Sequence, residues 1–453
     1  MLSTHTTVTR DLGTTRPSFC RGFIYSPSLG ATKKKLPVLV WIHGGGYRTL
    51  FSDAASYDPT PLIQASNISL VAVVIQYRLG MFGFLPGREV KQNGVLNAGL
   101  LDIQFALKWT QENVHLFGGD PDQVTIWGES AGAGAVLMQA VAEGGRTHPV
   151  LFKRAVASSP YLPAAYGYDD VESQLQYASF INNTRSVKRI YPLWSLFLII
   201  ICPRYSCTNA TDTLGCLRGL DHVTLAEMNT QTPRFVVDGT LLTQRPQLLL
   251  EQGLVNGEQL ISLHNANEGQ IFISQDTNST IQSLIVGFFP RLSQQNITAV
   301  EDVYRDFASD NASEADNTYK MQTMVLAESI FVCPSFWLAD AFPKTSYKGQ
   351  FAVPPAVHGL DLSVYFPDIG YPIALPVQPI SRSLTQSFMG SPNNNPMNQS
   401  INPDWAKYDP VNPKEMIFNV TESGVADPEV EKVDSGLRHR CSLWGALAPF
   451  TQQ

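Results

Sequence analysis

The chain has 453 residues, 44% of them hydrophobic and only 16% charged, with a formal net charge of −7. Charged residues usually make up about 25% of a globular domain, so this composition describes a large buried interior under a polar, weakly charged surface. Basic residues that are scattered and outnumbered exclude a nucleic-acid footprint, and they give no attraction to anionic membranes.

The N-terminus, MLSTHTTVTRDLGTTRPS, is polar and lacks the apolar core of a signal peptide. Two other features point to the secretory pathway. There are six Cys, and eight Asn-X-Ser/Thr acceptors begin at Asn67, Asn182, Asn209, Asn278, Asn296, Asn311, Asn398 and Asn419. Each acceptor alone is weak; together they favour glycosylation in an oxidising compartment. LPVLVWIH (36–43) and SLVAVVIQY (69–77) are continuous apolar, β-branched runs that suit parallel strands covered on both faces. Leu100, Ile103, Leu107 and Val114 recur at helical spacing between Asn97 and Phe117, and Gly118-Gly119 predicts the stop. VTIWG (124–128) predicts a strand, residues 131–142 a helix and KRAVASS (153–159) another strand. This alternation predicts an α/β fold with a mostly parallel sheet and helices on both faces. From about 160 to 330 the pattern blurs into helices and loops that suit a cap, and 391–405 is a loop rich in Asn and Pro. No internal repeat divides the chain, so 1–453 is read as one elaborated domain.

Gly128-Glu129-Ser130-Ala131-Gly132 is a G-x-S-x-G pentapeptide between a predicted strand and a predicted helix, the context in which that motif places a nucleophile. Glycines on either side fit where a Cβ would clash in a cramped hinge, and the helix N-terminus directs N–H groups at the reacting centre. The plainer alternative is a small-residue turn whose serine merely caps a helix. A serine nucleophile also needs an oxyanion site. His43-Gly44-Gly45-Gly46-Tyr47, directly after the strand run, can bend its N–H groups towards a ligand and act with the Ala131 N–H.

The base follows by elimination among His5, His43, His115, His148, His222, His264, His358 and His439. In this arrangement the chain order is serine, acid, histidine, which removes everything before Ser130. His148, His222 and His264 leave little or no room for an intervening acid. His439 lies between Arg438 and Arg440, whose charges oppose an imidazolium. His358, on a Pro/Gly-punctuated loop after FAV (351–353), is the best candidate. For the acid, Glu268 in LISLHNANEG (260–269) is preferred only slightly over Asp238 in FVVDG; Asp361 and Asp368 come after the histidine.

Together, PVLVWIHGGGY, YRLGMFGFL, FGGDPDQVTIWGESAG, CTNATDTLGCLR, NANEG, PPAVHGLDL and RCSLWGALAP resemble the type-B carboxylesterase/lipase family, the cholinesterase-like branch of the α/β-hydrolases, in its fungal form. The resemblance runs from about residue 36 to the C-terminus. It implies an α/β-hydrolase fold and hydrolysis of a small-molecule or lipid ester, with no cofactor and no metal. It implies Ser130 as nucleophile, Glu268 as acid and His358 as base, with Asp238 structural. Oxyanion donors carry over to the N–H groups of Gly45, Gly46 and Ala131, and disulfides to Cys207–Cys216 and Cys333–Cys441. Secretion is expected from the family, the acceptors and the Cys pairs. Acyl and alcohol specificity and oligomeric state are not implied. Because all three proposed triad residues are present, ester hydrolysis is preferred over a non-catalytic binding or adhesion protein on the same scaffold, and over an inactive truncated product.

Two stretches depart from the family. Residues 1–35 replace its usual N-terminal strands, leaving Cys20 without an upstream partner and an exposed sheet edge as a liability. SVKRIYPLWSLFLIIICPRYS (186–206) is an atypical insertion whose apolar part, Leu193–Cys202, is too short to span a bilayer. Joining INNT directly to CTNATDTLGC restores a family-like sequence, so both departures are expected to be errors of gene prediction, the insertion being translated intron; a genuine surface insertion, such as a membrane-contacting loop, is the less favoured alternative. Sequencing the transcript checks this: retention of the segment in every clone contradicts it.

Overall fold

A computed structural model describes residues 22–27, 35–48, 53–66, 69–184, 206–229, 234–275, 279–309, 312–369 and 403–453. Most of the N-terminal stretch, 186–205 of the insertion and most of the Asn/Pro-rich loop lie outside the described residues, as do Cys20, Cys202 and the acceptors at Asn67, Asn278, Asn311 and Asn398.

Nine strands form one sheet in the order β1-β3-β2-β4-β5-β6-β7-β8-β9. They are β1 (Gly22–Tyr25), β2 (Leu36–Ile42), β3 (Val71–Ile75), β4 (Gly119–Glu129), β5 (Arg154–Ser158), β6 (Gln259–Asn265), β7 (Ser346–Phe351), β8 (Lys414–Phe418) and β9 (Glu429–Lys432). β2 to β8 run parallel, while β1 on β3 and β9 on β8 are antiparallel at the two edges. Thus Gly22–Tyr25, within the segment read as atypical, adds a strand along β3. β6 lies inside the stretch read as cap, because one apolar run there is a strand of the central sheet.

The apolar runs divide between two cores because successive strand side chains point to opposite faces. Val38, Val40, Ile42, Val71, Val73 and Ile75 enter one core, which also takes Leu100, Ile103 and Leu107. Leu39, Trp41 and Val74 enter the other, with Trp127, Tyr365 and Phe366. Helix α1 (Ala98–Asn113) continues as a 3₁₀ turn and ends at Gly118, whose φ of 81° suits glycine. Helix α2 (Ala131–Val141) is entirely buried. Small residues make that possible: a Cβ on Gly132 would stand 2.0 Å from the Ile42 carbonyl oxygen.

A third core is helical and packs α3 (Gln294–Tyr304), α4 (Glu314–Ala327), α5 (Cys333–Asp340) and α6 (Ser435–Thr451) around Tyr304, Phe331 and Trp444. Glu314–Asp340 is long and apolar enough to cross a membrane, but 83% of its most apolar window is buried inside the protein, as expected of a core helix. The Cys207–Cys216 and Cys333–Cys441 disulfides are both formed, with Cα separations of 5.6 and 5.1 Å. The first spans 9 positions and the second 108. Loop-closure entropy then assigns about 2.5 kcal/mol to the short bridge and about 5 kcal/mol to the long one. Replacing Cys333 and Cys441 together by Ala should lower the thermal midpoint more than the same change at Cys207 and Cys216, as scanning calorimetry of the two double variants will read.

Candidate active site

Ser130 is the hinge between β4 and α2. Its backbone takes φ 56° and ψ −123°, a strained conformation for a residue with a Cβ. Three main-chain bonds hold it there: Ser130 N–H donates to Ser158 O at 2.9 Å, and Ser130 O accepts from Gly134 N at 2.9 Å and Tyr161 N at 3.2 Å. The flanking glycines are required, since a Cβ on Gly128 would lie 2.4 Å from the Gly132 carbonyl carbon. Although Ser130 occupies the N-cap position, its side chain caps no helix N–H. Oγ instead lies 2.8 Å from His358 Nε2. The helix-capping alternative is therefore not what the hydroxyl does.

Glu268 follows β6 and is fully buried. Its Oε1 accepts the Asn265 N–H at 2.6 Å, and its Oε2 lies 2.5 Å from His358 Nδ1. A carboxylate can only accept here, so a neutral His358 carries its proton on Nδ1 and presents Nε2 as acceptor to the Ser130 hydroxyl. The loops that carry Glu268 and His358 are tied together, with Asn267 N donating to Ala356 O at 2.9 Å and Asn267 Nδ2 to Pro355 O at 2.7 Å. Asp238, the rival acid, is elsewhere. It accepts from Asn97 Nδ2 at 2.6 Å and from Thr240 N at 2.6 Å, stapling a loop to the start of α1. His264 is buried beside Lys348, with 2.6 Å between Nδ1 and Nζ, and His439 is exposed. The strand before His358 is SYKGQF, which ends at Phe351 where FAV begins, a partly polar run that periodicity did not mark.

Gly45 and Gly46 take φ values of 98° and 61°, which curl the loop after β2. Gly44 packs against the hinge so tightly that a Cβ there would come within 3.0 Å of Ser130 Cβ. Among the described residues, no protein acceptor engages the N–H groups of Gly45, Gly46 or Ala131. The loop is anchored by His43, whose carbonyl accepts the Tyr77 hydroxyl at 2.9 Å and whose ring stacks on Tyr77 with centroids 4.6 Å apart. Burial pushes the His43 imidazole down to about 4, so it stays neutral.

Two further carboxylates surround the histidine, and neither carried a functional reading in the sequence. Glu129 Oε1 stands 3.4 Å from His358 Nε2. Burial pushes the Glu129 carboxyl up to about 8, aided by Asp361 and Glu268 and opposed by His358. Asp361 accepts from Asn265 Nδ2 at 3.1 Å and from the Tyr365 hydroxyl at 3.1 Å, and burial raises it to about 6. Burial alone would disfavour the His358 imidazolium, but Glu268 and then Glu129 outweigh it and raise that group to about 9. A charged residue inside an otherwise apolar hinge, and an acid three residues after the base, were the signals available in the sequence. Phe331 and Phe272, whose rings lie 4.4 and 5.1 Å from the imidazole, gave no signal.

This geometry is accompanied by extensive similarity to known proteins. Residues 23–432 match the model of the carboxylesterase family. The chain belongs to the carboxylesterase family. That class comprises carboxylesterase/lipase-type ester hydrolases. The chain is 29% identical over 443 residues to a secreted lipase of Arthroderma benhamiae, covering 91% of this chain and 79% of that protein. It is 31% identical over 293 residues to secreted triacylglycerol lipase LIP1 of Gibberella zeae, covering 60% of this chain but only 46% of that protein's length. The crystal structure of Aspergillus niger EstA shares the fold, with a TM-score of 0.80 at 24% identity over 96% of this chain and 84% of that one.

A histidine must be neutral to take a proton, so with His358 as the proposed base activity should rise with pH as its imidazolium deprotonates. The raised value places that acidic limb above the ordinary 6.5. Glu129→Gln removes a carboxylate that holds the imidazolium and should move the limb towards lower pH, as a kcat/KM pH profile will read. An unmoved limb would show that Glu129 does not couple to the base.

Proposed function

We propose that this chain hydrolyses carboxylic esters through an acyl-enzyme, with Ser130 as nucleophile, His358 as general base and Glu268 as its orienting acid. One observation carries the reading: His358 is bonded through Nδ1 to a buried carboxylate and through Nε2 to the Ser130 hydroxyl. Oγ attacks the ester carbonyl while Nε2 takes its proton. Glu268 keeps the ring in the tautomer that leaves Nε2 free, then balances the imidazolium. Charge developing on the carbonyl oxygen is received by the N–H groups of Gly45, Gly46 and Ala131, two from a glycine loop and one from a helix N-terminus. The imidazolium returns its proton to the departing alcohol. A water then attacks the acyl-enzyme with the same histidine as base, releasing the acid and restoring Ser130.

The substrate class we propose is a lipid or small-molecule ester, on the strength of relatives named as lipases. Secretion is proposed on the same relatives, the two disulfides and exposed acceptor sites at Asn182 and Asn209. Hydrolysis of p-nitrophenyl butyrate by purified protein tests the assignment. Ser130→Ala and His358→Ala should each lower kcat by about 10³-fold or more, and Glu268→Gln by about 10²–10⁴-fold. Asp238→Asn should leave kcat within about two-fold while costing about 1–3 kcal/mol of stability, because its buried hydrogen bonds are disturbed. Equal turnover in the parent protein and Ser130→Ala discards the nucleophile.

A further inference from the structure

The helix that carries Phe331 is irregular where it passes the candidate site. Between α4 and α5, Glu328–Val332 form a π-turn, closed by the Cys333 N–H donating to Glu328 O. Such a turn inserts one residue into an α-helix and rotates the next turns about the axis, and π-turns concentrate at functional sites. This one is pinned along its length. The Glu328 carboxylate accepts from Arg440 Nε and Nη2, both at 2.8 Å, and from the Tyr304 hydroxyl at 2.6 Å. Ser329 O accepts from Gln453 Nε2 at 2.8 Å and Ile330 O from Leu162 N at 2.9 Å. Cys333 is bonded to Cys441. Thus α6 grips both ends of the turn through adjacent residues, Arg440 and Cys441.

What the pinned turn presents is Phe331, only 2% exposed, with its ring centroid 4.4 Å from that of His358. Phe272 adds a second ring 5.1 Å from the imidazole and stacks on Phe331 at 5.6 Å. Tyr161, whose N–H bonds Ser130 O, lies 5.6 Å from Phe331. A tilted ring contact of this kind matters because Nε2 has a choice of partners. Ser130 Oγ is 2.8 Å away, but Glu129 Oε1, buried and without a hydrogen-bond partner among the described residues, is only 3.4 Å away. Once Nε2 has taken the proton and become a donor, a small swing of the ring would trade the hydroxyl oxygen for the Glu129 carboxylate.

We infer that Phe331 is a positioning residue: held by the π-turn and its grip on the C-terminal helix, it keeps His358 Nε2 on Ser130 and off Glu129. Its ring also excludes water from one face of the imidazole and favours the cation formed there during acyl transfer. The inference rests on the proposed Ser130–Glu268–His358 reading.

Misplacing a reacting group by about 1 Å costs up to about 10²-fold in rate. With p-nitrophenyl butyrate, Phe331→Ala should lower kcat by about 10–100-fold with KM within about three-fold of the parent value. Phe331→Leu, which retains most of the packing, should retain kcat to within about five-fold. Adding Glu129→Gln should shrink the loss from Phe331→Ala to about three-fold, because the competing carboxylate is gone; a merely structural role would leave that loss unchanged. Circular dichroism establishes that each variant is folded, and Phe331→Val is read in the same way should Phe331→Ala not fold. Unchanged kcat in folded Phe331→Ala, a loss confined to KM, or the same loss with and without Glu129→Gln overturns the inference. Turnover by Ser130→Ala reports separately on the underlying reading: an inactive Ser130→Ala beside a fully active Phe331→Ala defeats the positioning role alone.

Discussion

The contact between Glu268 Oε2 and His358 Nδ1, 2.5 Å long and out of reach of water, is the interaction on which the site depends. A buried carboxylate is costly unless paired and hydrogen-bonded. Glu268 satisfies both conditions, with one oxygen on the imidazole and the other on the Asn265 N–H. The pairing has a structural consequence before any chemical one. It joins the loop after β6 to the loop after β7, and Asn267 reinforces the joint through two more bonds to the His358 loop. The orientation of the histidine is thus settled by the same contacts that close the two loops.

The sheet explains how residues so distant in sequence meet. In a parallel sheet every strand ends on the same edge, and neighbours are about 4.8 Å apart. β4, β5, β6 and β7 are consecutive in the sheet although 86 residues separate the register pair Ser262 and Lys348. Ser130 follows β4, Glu268 follows β6 and His358 follows β7, so all three leave the sheet at the same end. The intervening β5 contributes Ser158 O, which holds the hinge N–H, and Ser159, which accepts from Asn265 Nδ2 at 3.0 Å. The turn at Ser130 is strained, and it persists because packing on every side leaves the chain no alternative: Gly44, Gly128 and Gly132 each lie where a Cβ would meet backbone.

Legibility of the sequence followed the range of each interaction. Runs such as LPVLVWI declare a doubly covered strand in their own composition, and β2, β3 and β5 lie where those runs placed them. The hinge was readable because its steric demand is local, a glycine on each side of a short side chain. β7 was not readable: Lys348 and Gln350 interrupt its apolar pattern and are accommodated by tertiary partners that include His264 and Glu415 on the neighbouring strands. The choice between Glu268 and Asp238 was close for the same reason. Each follows an apolar run, and only the packing shows that one faces His358 while the other staples Asn97. Phe331 is the extreme case, because its approach to the imidazole depends on an irregular helical turn and on partners as far away as Arg440.

The surplus of acid around His358 sets the pH range over which the imidazole is charged. Three carboxyl groups, Glu129, Glu268 and Asp361, are buried around one imidazole. Were all three ionised, they would hold the imidazolium so firmly that the ring could not accept a proton near neutral pH. Burial acts in the opposite sense on the acids, pushing Glu129 up to about 8 and Asp361 up to about 6. Glu268 remains the largest favourable influence on the imidazolium and Glu129 the second, so the ring is still held up to about 9. The linkage has a definite sign. A histidine raised above its ordinary 6.5 contributes stability that is complete below 6.5 and is lost as pH rises through about 9. A carboxyl raised by burial favours the folded state while protonated, and that advantage is lost between its ordinary 4.5 and about 8. Both trends cost stability on the alkaline side, the direction in which the proposed base becomes free. With His358 as the proposed base, the expected rise in activity and part of the fall in stability draw on the same buried groups.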